Sequence, residues 1–146
     1  MAGVVSGSGS KIYVSAAAPA TFTKAGYTAL TWTLIGEVTN VGEYGREYNM
    51  IEHTPIDTRL TVSIKGNYKA GSLSLAFGSI PLDAGQIIIN AASKSDNDYS
   101  FKIERNDGEI DAFTGKVTQF KPNVQGGSVL SISSGVTLST DVISIK

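Results

Sequence analysis

Cysteine is missing altogether from this 146-residue chain, and histidine occurs once, at His53. Disulfides and thiolate metal sites are therefore excluded, and a lone imidazole has neither a second ring nor a thiolate with which to build a zinc site within one chain. Charge is scarce as well: Asp, Glu, Lys and Arg make up 17% of the residues, below the usual quarter of a soluble domain, and 12 basic against 13 acidic side chains leave a formal charge of -1. With no Lys/Arg cluster to attract a phosphate backbone, sequence-specific nucleic-acid binding is not expected. Apolar runs stop short of the ~20 residues of a membrane span. Met1 to Ser10 also lack the positive start and sustained apolar stretch of a signal peptide. These absences lead to the expectation of a soluble protein made in the cytoplasm, with no membrane partner and no cofactor.

What is there instead is Ser, Thr, Asn and Gly on a 41% apolar background. Such a surface suits strands, turns and contacts with other protein better than repulsive solvation, so self-association is the natural expectation. The length fits one domain that buries roughly two thirds of its unfolded surface. Residues 1–10 form a Gly/Ser-rich stretch that costs too much chain entropy to fold alone and reads as a flexible arm. Residues 11–146 read as a single domain.

Along that domain, Lys11 to Ser15 alternates with Ile12 and Val14 on one face, as a strand does. Ala16 to Gly26 reads as irregular chain with room for one helical turn, and Leu34 to Val41 as a strand. Gly42 to Asp57 has no clean period and is a long excursion with the makings of a hairpin, and long ordered loops are usually functional. Leu60, Val62 and Ile64 alternate with polar residues as a half-buried strand, Gly66 to Gly71 turns the chain, and Leu73, Leu75 and Phe77 return antiparallel to it. Asp83 with Gln86 has capping-box spacing and predicts a helix to about Ser93, although Ile87, Ile88 and Ile89 also suit a buried strand. Tyr99 to Arg105, the turn Asn106, Asp107, Gly108 and a return strand over Glu109 to Lys121 form a hairpin, with a bulge expected between Ile110 and Phe113. Further strands follow Gly126 and Gly127 and run to Ile145. The expected fold is mainly β, a sandwich or barrel with one flanking helix.

Catalytic chemistry finds no foothold. No nucleophile elbow surrounds a serine that His53 could serve, and His53 reads as a polar loop residue. Asp107, Glu109 and Asp111 alternate on one strand face with Asp96 and Asp98 nearby, but hairpin tips are routinely acidic and the spacing is not that of an EF-hand. Gly115 and Lys116 are followed by Val117 where a phosphate loop needs Ser or Thr, and Gly7 and Gly9 lack the strand and helix of a dinucleotide site. Trp32 with six tyrosines could offer a sugar-stacking platform, and packing in a core or interface accounts for them equally well. The chain is not expected to be an enzyme.

Several segments, taken in order, resemble the tail tube (major tail) proteins of siphophages. They are Gly9 to Val14, the small-residue stretch Ala16 to Ala20, Ala25 to Thr31, Ile35 to Val38, Val41 to Gly45, His53 to Pro55, Lys65 with Gly66, Gly71 to Leu75, Asp83 to Gly85, and Phe113 to Val117. They span nearly the whole chain. The resemblance implies a virion structural protein assembled in the host cytoplasm into hexameric rings, stacked as a helical assembly through which viral DNA passes during ejection without specific binding. It also implies tail initiator, tape measure and terminator proteins as partners. Mapped onto this chain, it makes the arm and the loop at 42–57 the ring-to-ring elements, with contacts from Ser6, Ser8, Ser10, Tyr44, Arg46, Glu47, Tyr48, Met50 and His53. A channel that must not hold DNA is expected to be polar with acidic character, from the outward positions Glu37, Thr39, Thr61, Ser63, Glu104 and Asp111. The alternatives are a tube protein of a contractile tail or secretion apparatus, and a carbohydrate-binding β-sandwich.

Overall fold

The computed structural model describes residues 3–146. Met1 and Ala2, the first residues of the expected arm, lie outside the described residues. Among those described, the elements run β1 (Lys11–Ser15), α1 (Lys24–Thr28), β2 (Thr33–Leu34), β3 (Val38–Asn40), β4 (Glu47–His53), β5 (Val62–Lys69), β6 (Ser72–Gly78), α2 (Ala84–Ser93), β7 (Tyr99–Glu104), β8 (Ile110–Asn123), β9 (Ser131–Leu138) and β10 (Ile143–Ser144). The fold is mainly β with one substantial helix, as the patterning predicts.

Eight strands make one antiparallel sheet in the order β2-β1-β7-β8-β9-β6-β3, with β10 paired to β8, while β4 and β5 pair only with each other. Period-2 alternation puts Ile12 and Val14 of β1, Phe101 and Ile103 of β7, Phe113 of β8, Val136 of β9 and Leu75 and Phe77 of β6 on one face, where all are buried. Strands far apart in the sheet order thus share one hydrophobic cluster. The sheet curls around it, and α2 closes it with Ile89 and Ala92.

Helix α2 starts where its cap predicts, with the Asp83 carboxylate accepting from the backbone N–H of Gln86 at 3.1 Å. The reciprocal half of the capping box is absent, because Gln86 is used elsewhere. Its buried amide donates to the carbonyls of Gly36 and Gly78 at 3.0 and 2.8 Å and accepts from Ile80 N–H at 2.9 Å. Asp83 also accepts from Gly36 N–H at 3.2 Å. One polar pair therefore locks the helix start to two loops of the sheet. Of the three isoleucines, Ile89 is buried, Ile88 half-buried and Ile87 exposed.

Three expectations are corrected. Leu34 to Val41 is not one strand: Glu37 adopts a positive φ of 58° and breaks it, so β2 pairs with β1 and β3 with β6 at opposite ends of the sheet. The strand containing Val62 and Ile64 does not pair with β6 and is not half-buried. It pairs with β4, Gly66 lies within it, and β6 pairs with β9 and β3. No bulge separates Ile110 from Phe113, where the β7–β8 register is continuous; the shift comes later, between Val117 and Gln119. The apparent change of phase arises because this part of the sheet is covered on both sides. Phe113 faces the main core, while Ala112 and Ile110 face a second cluster built on Tyr27, Trp32 and Ile145. The β7–β8 turn forms as expected, with Gly108 supplying a φ of 94°.

Candidate assembly surfaces

The β4–β5 hairpin is the part of the molecule that its own core does not explain. The excursion is longer than residues 42–57, since its second strand runs to Lys69. An ordinary strand pair buries one face, whereas here nearly every residue of both strands is exposed. The exposed residues include Met50, Ile51, Val62 and Ile64, with Leu60 and the 96% exposed Ile56 towards the tip. A free-standing two-stranded hairpin is marginal in water.

Its root is built for rigidity. Arg46 makes a two-pronged contact with Asp141, at 3.1 Å from Nε and 2.7 Å from Nη2, and donates to the Tyr48 hydroxyl at 3.0 Å. The Tyr68 hydroxyl donates to the same carboxylate at 3.2 Å, the guanidinium sits 4.6 Å from the Tyr68 ring centre, and the Tyr48 and Tyr68 rings lie 5.0 Å apart. Lys65 stands over the other aromatic, 3.8 Å from the Tyr48 ring. Hydrogen bonds from Arg46, then Tyr68, hold the Asp141 carboxyl below its ordinary value, and the pairing raises the guanidinium in turn. Where the strands leave the body, Gly71 adopts a φ of 101°, and a β-carbon there would lie 2.3 Å from the Gly45 carbonyl oxygen. Only glycine lets the two chains cross so closely.

The residues expected at ring contacts divide accordingly. Glu47, Met50 and His53 lie exposed on β4, and Arg46 and Tyr48 belong to the root clamp. Tyr44 lies outside the hairpin: its ring packs 5.9 Å from Phe113 and its hydroxyl donates to Asp111 at 2.6 Å. Burial first, then that hydrogen bond, push the Tyr44 hydroxyl well above its ordinary value. The N-terminal segment is attached to the β7–β8 turn. Ser10 Oγ accepts from Asn106 N–H at 3.0 Å, Asn106 donates to the Ser6 carbonyl at 3.1 Å, and Ser8 N–H bonds to Ser6 Oγ.

One subunit does not gather the expected channel residues on one face. Thr39 lies in β3 with Glu37 just before it, Ser63 lies on β5 opposite Glu52 with Thr61 just before that strand, and Glu104 is paired with Lys102 at 3.6 Å on the Trp32 side. Asp111 does not point outward. It shares the face of Phe113, is 8% exposed, and is held by Tyr44 and by Arg105 at 3.0 Å. What the sequence left unseen is the uncovered outer face of β6, β9 and the far half of β8, with Ser72, Ser74, Ser133, Thr137, Gln119 and Lys121 exposed. These stretches contain no carboxylate. Among the described residues, no three of His, Asp and Glu gather where they could hold a metal ion. No helix there is long and apolar enough to cross a membrane. Trp32 donates to the Tyr27 carbonyl at 3.0 Å and packs against the second cluster.

No family model matches the chain, and no curated protein matches it by sequence. Solved structures do match it in shape. A chain of the anti-feeding prophage baseplate, solved with 6-fold symmetrisation, superposes with a TM-score of 0.66 at 9% identity, over 100% of this chain and 99% of that one. A chain of the sheath/tube terminator of an extracellular contractile injection system, PVC, gives 0.66 at 11% identity over 98% and 97%. The SPP1 tail tube gives 0.64 at 13% identity, over 92% of this chain and 75% of that chain. The curled sheet, its plugging helix and the projecting hairpin are therefore a tail-tube-like fold.

Proposed function

We propose that this chain is the structural subunit of a siphophage tail tube, forming hexameric rings that stack around a channel for DNA. The observation that carries this reading is the rigidly rooted hairpin whose apolar side chains have no partner within the chain, on a body of tail-tube-like fold. Glu47, Met50 and His53 on β4, together with the N-terminal segment carrying Ser6, Ser8 and Ser10, make ring-to-ring contacts. Tyr44, Arg46 and Tyr48 hold those contacts in position. Short strands at both ends of the sheet, β2 and β3, leave edges that a closed ring of copies would pair. The uncovered serine- and threonine-rich face of β6, β9 and β8 faces the channel, with Glu37 and Thr39 at its margin. That face carries Lys116 and Lys121 and no carboxylate, so its polarity comes from hydroxyls, an amide and two lysines and not from the acidic character expected of the channel. Initiator, tape measure and terminator proteins start, gauge and stop the polymer. The virion tail is its place.

Negative-stain imaging of the concentrated protein tests this. Flexible bare tubes are expected, and a particle that stays monomeric with and without its initiator proteins overturns the reading. A second reading, a tube protein of a contractile system, is favoured by the nearly full-length match to the baseplate and terminator chains. It predicts that ordered tubes form only with a sheath partner.

A further inference from the structure

We infer that His53 makes the hairpin contact acid-sensitive: its imidazole lies on the one apolar face of the β4–β5 hairpin, and a neighbour that covers this face takes the ring up uncharged. This rests on the reading of the hairpin as a contact arm and adds what regulates it.

The ladder gives the hairpin two unlike faces. Ile51 stands opposite Ile64, and His53 opposite Val62. Residues two apart in a strand share a face, so these four lie together. Ile51, Val62 and Ile64 are 55%, 45% and 51% exposed, which makes theirs the face that gains from being covered. The other face is charged. There Met50 stands opposite Lys65 and Glu52 opposite Ser63, and the Lys65 ammonium lies 3.8 Å from the Tyr48 ring. Just beyond His53 and Val62, a 2.8 Å bond between the Thr54 and Thr61 hydroxyls ties the strands together and holds the histidine to its side.

Little else near the ring can titrate. Glu52 is adjacent in sequence but belongs to the other face. Glu47, opposite Lys69, lies back at the root, roughly 20 Å away along the strand. Asp57 and Arg59 belong to the tip at 54–61, and the two strands share no ladder with the body that could bring a further charge across. Among the described residues, no ion pair includes His53. Covering an ionised group with apolar surface and no partner charge is costly, so the group gives up its charge instead. Imidazole does so within reach of neutral pH. The sign follows: the uncharged ring enters the contact, which is at full strength above the imidazole range and weakens as pH falls through it.

Critical concentrations for assembly, read by light scattering between about pH 8 and about pH 5.5, test this, with circular dichroism to verify each fold. For the wild-type chain the critical concentration is expected to rise on acidification. Below the imidazole range the rise approaches about tenfold per pH unit, as one proton per contact requires. His53→Gln is expected to lose that slope, whatever its level at the upper pH, and Glu52→Gln to keep it. Disassembly by dilution at the lower pH should also take up about one proton per subunit from a weakly buffered solution. A flat or reversed wild-type profile, a slope that survives in His53→Gln or vanishes in Glu52→Gln, or disassembly without proton uptake overturns the inference. Ile64→Asp assembling at the wild-type concentration removes the apolar face from the contact, and the inference with it, while the tube reading stands. A wild-type protein that never assembles at the upper pH overturns the tube reading itself.

Discussion

Arg46 shows how one exposed side chain can set the direction of a whole element. It gathers Asp141, Tyr48 and Tyr68 at the hairpin root, and its two-pronged geometry fixes an angle as well as a distance. Because Asp141 titrates below its ordinary 3.8 in the folded chain, its contribution is present above that value and lost as pH falls through the lowered one. Amide exchange at the hairpin root should therefore accelerate below about pH 4 while core amides in β7 and β8 stay protected; equal acceleration in both would remove the clamp from the account. At Tyr44 the sign is opposite. Its raised hydroxyl stabilises the fold below the ordinary 10.0, and that stability is lost as pH rises above it. Tyr44→Phe leaves Asp111 with one partner fewer in a buried site and should lower unfolding stability by about 1–3 kcal/mol in a denaturant titration.

Among the elements, α2 was legible in sequence because a cap is a local device: Asp83 needs only the N–H groups of its own first turn. Asp83→Ala should cost about 1 kcal/mol for the lost cap, and more if the Gly36 contact adds to it, as a melt of the variant would show. The β7–β8 hairpin was legible for the same reason, its turn residues being adjacent. The β4–β5 hairpin was not. Alternation at Leu60, Val62 and Ile64 normally marks a face on the core, and nothing in the alternation says that the face lies in solvent. The crossing at its root makes a separate prediction: Gly71→Ala combines a positive φ with a backbone clash and should cost at least about 1–3 kcal/mol, measurable as a fall in Tm.

For the molecule as a whole, the proposed assembly through the hairpin's exposed apolar side chains, on a chain of net charge -1, should depend weakly on salt. Light scattering is expected to show little change in polymer between about 0.1 and 1 M salt, a range over which exposed ion pairs are screened. Dissolution of the polymer across that range would point to charge pairs as the main contact. Removing residues 1–10 should leave a folded subunit with impaired tube growth, and full-length tubes from the truncated chain would withdraw the arm from the interface.

Read by itself, the order of residues determined the mainly β class, the buried alternation of β1, β6 and β7, the cap of α2 and the turn at Gly108. All of these depend on neighbours within a few positions. Tertiary structure alone decided that the chain breaks at Glu37 to supply both ends of one sheet, that Asp111 turns inward to Tyr44 and Arg105, and which strand pairs with β5. Pairing and burial are set by contacts between residues distant in sequence, and a period of two records that a strand has two faces without recording what covers either one.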